Sequence, residues 1–211
     1  MKKILEITIY SILVMSLAVA CKNTTSGAER ILTQSTDTAK TSYSTTLDFD
    51  RTVLQILDQS PLYNSFLKLV NAVEFFDELS ALNNVMIFVP TDEAFGPSKG
   101  LINELSSPDN LPVLRSIINY HIVQADLDVD NILAQLRIQD GPLRLETLNG
   151  GRIALSLNQG KLQILDEKTN ITYLGTSSIR GTNGIVYTID RVMRPNSNVP
   201  SVSNTAMAPS L

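Results

Sequence analysis

The sequence predicts an α+β fold, and three observations carry that prediction. Apolar residues recur at helical spacing between residues 53 and 121, then alternate with polar ones after residue 143. Turns rich in Asn and Gly separate the alternating runs: Asn149-Gly150-Gly151, Asn158-Gln159-Gly160 and Gly181-Thr182-Asn183-Gly184. One run, Val85 to Val89, is apolar without interruption, as a buried strand is. Helices first and an antiparallel meander after is an α+β order.

The elements follow in chain order. Val53, Leu54, Ile56 and Leu57 mark a short amphipathic helix. Ser60 and Pro61 read as the N-cap and first position of the next helix, whose apolar face is Leu62, Phe66, Leu69, Val70 and Val73. The strand at 85–89 runs into "PTDEAF", residues 90–95. Pro90 has no N–H for a ladder and closes the strand. Thr91 is placed to cap a helix through its hydroxyl. Asp92 and Glu93 then fall in the first turn, where a carboxylate gains ~0.3–1 kcal/mol from the helix dipole. Ala94 and Phe95 return the chain to the core. A further helix spans about Asn110 to His121, with Leu114, Ile117, Ile118 and His121 on one stripe. Strands are expected around Leu143–Thr147, Ile153–Leu157, Leu162–Ile164 and Ile185–Met193.

The adjacent acids Asp92 and Glu93 invite a catalytic reading. Paired-carboxylate chemistry needs two groups facing one substrate atom. Neighbours on a helix point in different directions, so the segment reads as a joint between strand and helix. His121 is the only histidine, which excludes a histidine dyad or a multi-histidine metal cluster. No G-x-S-x-G elbow supplies a nucleophile. His121 therefore reads as a core histidine at a helix end with its nitrogens hydrogen-bonded. It and the Thr91–Asp92 joint are expected to lie near one another and to brace the domain. A partner contact on the surface is the competing role. Asp190-Arg191 is expected to contribute surface ion pairing, worth little alone. No catalytic residue, cofactor or metal is assigned.

Residues 1–20 read as a signal peptide: Lys2 and Lys3 precede an apolar stretch from Ile7 to Ala20, too short to span a bilayer as a helix. The stretch ends in Leu17-Ala18-Val19-Ala20-Cys21, and Cys21 is the only cysteine. This resembles a bacterial lipoprotein leader, which implies lipid attachment at Cys21; an ordinary secretory peptide cut at Ala20 is the alternative. At ~0.8 kcal/mol per buried methylene, two or three acyl chains hold a protein on a membrane. Lys22 after the cysteine favours the outer membrane or cell surface by analogy with lipoprotein sorting. With Cys21 lipidated, the exported domain has no disulfide and no thiolate metal site.

Residues 21–47 read as a lipid-attached linker, nearly half Ser and Thr, too poor in large apolar groups to order itself. One domain is expected over 48–195, followed by a disordered tail over 196–211. The chain has net charge −4, with no basic run, and removing the leader makes it one unit more negative. Nucleic acid is therefore excluded as a partner.

Three segments carry a family resemblance. "MIFVPTDEAF" (86–95), "INYHIV" (118–123) and "NGIVYTIDRVMRP" (183–195) resemble, in order and spacing, the signatures of the fasciclin-like domain. Met86-Ile87 and Val89 stand where the family commonly has Thr-Val and Ala, which alters packing detail only. The resemblance marks Phe88, Pro90, Thr91, Asp92, Phe95, Tyr120, His121, Asn183, Gly184, Asp190 and Pro195 as structural signature positions. It implies an α+β wedge with a β-sandwich-like half and helices packed around it. It also implies a non-catalytic, extracytoplasmic module for cell adhesion or contact with an envelope or extracellular protein. The alternative is an envelope lipoprotein holding a small ligand or glycan in a cleft. With no Trp and 6% aromatic residues, sugar stacking is poorly supplied, Tyr120, Tyr173 and Tyr187 being the candidates. A hydrolase using scattered carboxylates has no positive support.

Overall fold

In the computed structural model, residues 41–96 and 100–196 are described. Cys21, the signal peptide, most of the linker and the tail beyond Asn196 lie outside them. Strand β1 (Ser44–Leu47) comes first, followed by helices α1 (Val53–Asp58), α2 (Asn64–Ala72) and α3 (Phe76–Ala81). Strand β2 (Val85–Pro90) ends in a 3-10 turn, Asp92–Phe95. Helices α4 (Gly100–Leu105) and α5 (Leu111–Tyr120), strand β3 (Ile122–Val123) and helix α6 (Val129–Ile138) complete the first half. Strands β4 (Leu143–Glu146), β5 (Arg152–Asn158), β6 (Lys161–Leu165), β7 (Ile171–Arg180) and β8 (Gly184–Ile189) form the second.

The strands make one mixed sheet in the order β3-β2-β8-β7-β6-β5-β4, with β1 on β7. Neighbours from β4 to β8 run antiparallel, the meander read from the turns. The fold is α+β as expected, and the strand read among the helices, β2, joins the meander by pairing parallel to β8, from Val85↔Gly184 to Pro90↔Ile189. Val123 bridges Thr147, just past β4, so the sheet curls until it is nearly closed. The β-sandwich-like half is this curled sheet.

The apolar run of β2 is buried on both faces, and its side chains alternate between two cores. Val85, Ile87 and Val89 join Phe66, Leu69, Leu114 and Ile118 in a core between helices and sheet. Met86 and Phe88 join Tyr120, Leu155, Ile164, Ile185 and Tyr187 in a core inside the curled sheet. Phe88 and Tyr187 stack with ring centroids 5.7 Å apart.

Four expectations are corrected. Residues 44–47, assigned to the linker, pair in parallel with β7, and Tyr43 Oη accepts the Leu162 N–H at 2.6 Å; the folded region begins before residue 48. The second helix starts at Asn64 and not at Pro61, with Tyr63 at the cap position making no side-chain capping bond, and Leu62 is 56% exposed. The last strand ends at Ile189, although Met193 is buried. Asn196, assigned to the tail, still donates its N–H to Glu167 at 3.2 Å.

Pairing β2 with β8 requires a glycine. A Cβ on Gly184 would stand 2.1 Å from the Val85 carbonyl oxygen. Gly150, at φ +81°, has open space around its missing side chain. Gly184→Ala is therefore expected to cost about 3 kcal/mol or more, by forcing the central strands apart. Gly150→Ala should cost about 1 kcal/mol, for the left-handed backbone alone. Urea midpoints of the two variants check the difference.

Candidate functional site

The conspicuous polar side chains are used as fasteners between elements. Thr91 holds the N-cap position, but its hydroxyl makes no capping bond, and the turn after it is a single 3-10 turn rather than a helix. The acid beside it caps a different helix. Asp92 Oδ1 accepts the Ser65 N–H at 2.7 Å, and the Asp92 N–H donates to the Leu62 carbonyl at 2.8 Å. Asp92 thus supplies α2 with the cap that Tyr63 lacks. Glu93 is exposed, so the two acids serve no common point. Pro90 ends β2 in register with Ile189, and Phe95 is buried in the helical core.

Tyr120 and His121 end α5 where the two cores meet. Tyr120 is fully buried, and its hydroxyl donates to the Arg152 carbonyl at 2.9 Å while accepting the Glu167 N–H at 3.1 Å. Burial pushes its pKa up to about 12. A Cβ on Gly151 would lie 2.8 Å from the Tyr120 ring, so the second hairpin glycine exists to admit this side chain. Asn149 ties the same hairpin to α5 through the Ser116 carbonyl at 3.3 Å.

His121 is 1% exposed. Nδ1 lies 2.8 Å from the Ile117 carbonyl, and Nε2 accepts the Met193 N–H at 3.0 Å. A carbonyl on one side and an N–H on the other fit only the neutral ring protonated at Nδ1. Burial lowers its pKa to about 4. The His121 carbonyl accepts the Phe88 N–H at 2.9 Å. His121 and Asp92 each fasten a different segment, His121 holding Met193 and Asp92 holding α2; the ring of Phe66, the residue after the Ser65 that Asp92 caps, has its centroid 6.0 Å from that of His121.

Asn183 and Asp190 complete the set. Asn183 Oδ1 accepts the Val53 N–H at 2.9 Å, and Nδ2 donates to the Leu82 carbonyl at 3.0 Å, joining α1 and the end of α3 to the start of β8. Asp190 makes no ion pair among the described residues; it stands beyond the end of β8 and accepts the Tyr173 N–H at 2.9 Å, extending the β7–β8 ladder with a side chain. Pro195 is half-buried beside a groove of about 390 Å³ between α4, α5 and the 194–196 segment. Of the tyrosines considered for sugar stacking, Tyr120 and Tyr187 are buried and only Tyr173 is exposed. Among the described residues, no group of three His, Cys, Asp or Glu side chains is placed to hold a metal. No described helix is long and apolar enough to cross a membrane.

Two measurements test these roles. Because His121 titrates near 4 when folded and near 6.5 when unfolded, the unfolded chain binds the extra proton between those values. The stability conferred by the neutral ring is complete above pH 6.5 and declines as pH falls toward 4, by on the order of 3 kcal/mol. The fall in urea midpoint from pH 7 to 4.5 should be clearly smaller for His121→Gln than for the parent, with carboxylate titration common to both. Asp92→Ala should cost about 1–2 kcal/mol, and Asp92→Asn much less, since an amide oxygen still caps; thermal melts decide this.

A model of the Fasciclin domain matches residues 61–195. The chain is similar to Protein sll1483 of Synechocystis sp., with 24% identity over 149 residues, covering 70% of this chain and 76% of that protein. It is 30% identical over 151 residues to transforming growth factor-beta-induced protein ig-h3 of Oryctolagus cuniculus, covering 70% of this chain but only 20% of ig-h3. The FAS1 domain pair of the insect cell adhesion molecule Fasciclin I shares the fold, with a TM-score of 0.60 at 19% identity over 71% of this chain and 53% of that one. The chain belongs to the fasciclin-domain family, whose members are often linked to cell adhesion or protein interaction and are generally non-catalytic.

Proposed function

We propose that this chain is a non-catalytic interaction module, held at the cell surface by a lipid on Cys21, that docks a protein of the envelope or extracellular space. The docking face is the outward side of β5, β6 and β7. The observation that carries this reading is an apolar row where a sheet facing only water would be polar. Ala154, Leu165 and Ile171 stand opposite one another across the ladders, and Tyr173 lies two residues further along β7 on the same face. Leu165 and Ile171 are each 40% exposed and Tyr173 is 38% exposed. Contiguous exposed apolar and aromatic side chains are the usual makings of a protein contact. The fold shared with an insect cell adhesion molecule supports the same reading. A non-catalytic role accords with the engagement of Asp92, Tyr120 and His121 in bonds that hold the scaffold.

Beads coated with the protein are expected to adhere to intact cells of the source organism. The pair Leu165→Glu and Ile171→Glu should reduce adherence at least fivefold while leaving the melting temperature within about 2 °C, because both positions are exposed. Unchanged adherence would remove this face from the function. Cys21→Ser should move the protein from the membrane fraction to the soluble fraction and abolish incorporation of labelled palmitate; retention in the membrane would remove the lipid anchor.

A further inference from the structure

The groove beside Pro195 is built differently from the apolar face of β5–β7. Its floor is apolar, from Leu105, Pro112, Val113 and Ile117, and its C-terminal wall carries two cations, Lys168 and Arg194. Both are exposed, and neither makes an ion pair with another described residue. Among the described residues, Glu104 is the only acid in the lining. Among the described residues no aromatic side chain lines it, so they offer sugars and bases no stacking surface.

The backbone segments that carry the two cations are held by the Tyr120–His121 pair. The Glu167 N–H donates to Tyr120 Oη, and the Lys168 N–H donates to Asp166 Oδ1 at 2.9 Å, which sets the backbone carrying Lys168. The Met193 N–H donates to His121 Nε2, which sets the backbone carrying Arg194. Asn196 then closes the wall by donating to the Glu167 carboxylate. Two adjacent residues at the end of α5 thereby fix two cation-bearing segments that lie far apart in the chain. Cations carried on backbone that is already ordered bind an anion without the cost of first ordering that backbone.

We propose that this groove binds a small amphipathic carboxylate, its apolar body on Leu105, Val113 and Ile117 and its head between Lys168 and Arg194. The volume of about 390 Å³ lies within the range of small-molecule sites. It corresponds to about a dozen waters at ~30 Å³ each, which is about the heavy-atom count of a ten-carbon acid. At the ligand efficiency of ordinary sites, such a molecule binds with Kd on the order of 1 mM or tighter.

Decanoate is the probe, titrated into the full chain and followed by amide chemical shifts. Saturable shifts are expected at Leu105, Val113, Ile117, Lys168 and Arg194. Lys168→Ala with Arg194→Ala should weaken binding at least tenfold with an unchanged melting temperature, and so should Val113→Asp, a 53% exposed position that folding tolerates. Decyltrimethylammonium, with the same tail and opposite charge, should bind at least tenfold more weakly. The proposal is overturned if decanoate gives no saturable shift up to 20 times that expected Kd, if the double variant binds it equally, or if the ammonium binds as well. The bead adherence of the same double variant should match the parent, so failure here is separable from failure of the β5–β7 face.

Discussion

The parallel pairing of β2 with β8 is the constraint on which the rest of the structure depends. Two strands separated by nearly a hundred residues lie side by side, in register over six residues. Each contributes side chains to both cores, so neither core can form without the pair. The close approach of Gly184 to the Val85 carbonyl fixes where the register begins. Asn183, immediately before, adds α1 and α3 to the same point through its amide. Local turn chemistry and long-range packing thus converge on one corner of the molecule.

The opposite end of the pair is organised by the end of α5. Tyr120 faces the interior of the curled sheet, while His121 sits against Phe66 of the helical core. Their polar atoms bond almost entirely to backbone, so they position chain segments instead of presenting chemistry to solvent. This use of polarity runs through the structure. Asp92, Asn149, Asn183 and Asp190 all spend their side chains on backbone groups of other elements. Among the described residues, Asn119 Oδ1 is the one buried side-chain polar atom left without a partner. A buried donor or acceptor costs about 1–3 kcal/mol when unpaired, which explains why so few are.

Much of this was legible in the amino-acid sequence, and the parts that were not share a cause. The apolar run at 85–89, the proline that ends it, the stripe on α5 and the Asn-Gly turns are local signals, and each produced the expected element. Strand β7 was missed because its second half, Gly175-Thr176-Ser177-Ser178, carries little apolar alternation and its register shifts between Leu174 and Ser178. Strand β1 was missed because Ser44-Thr45-Thr46 is indistinguishable from the linker before it. The cap on α2 comes from Asp92, 27 residues away, and nothing near Ser60-Pro61 reveals it. Parallel pairing is invisible to any short window. The groove was equally hidden, since Lys168 and Arg194 become neighbours only through Tyr120 and His121.

Strand β1 also has a mechanical meaning. It is an edge strand of four residues joined to the sheet through β7, and Ser44, Thr46 and Leu47 are exposed. Tension entering from the N-terminal side loads this short ladder first. Because residues 44–47 lie outside both cores, β1 can peel from β7 with the β2–β8 pair left in place.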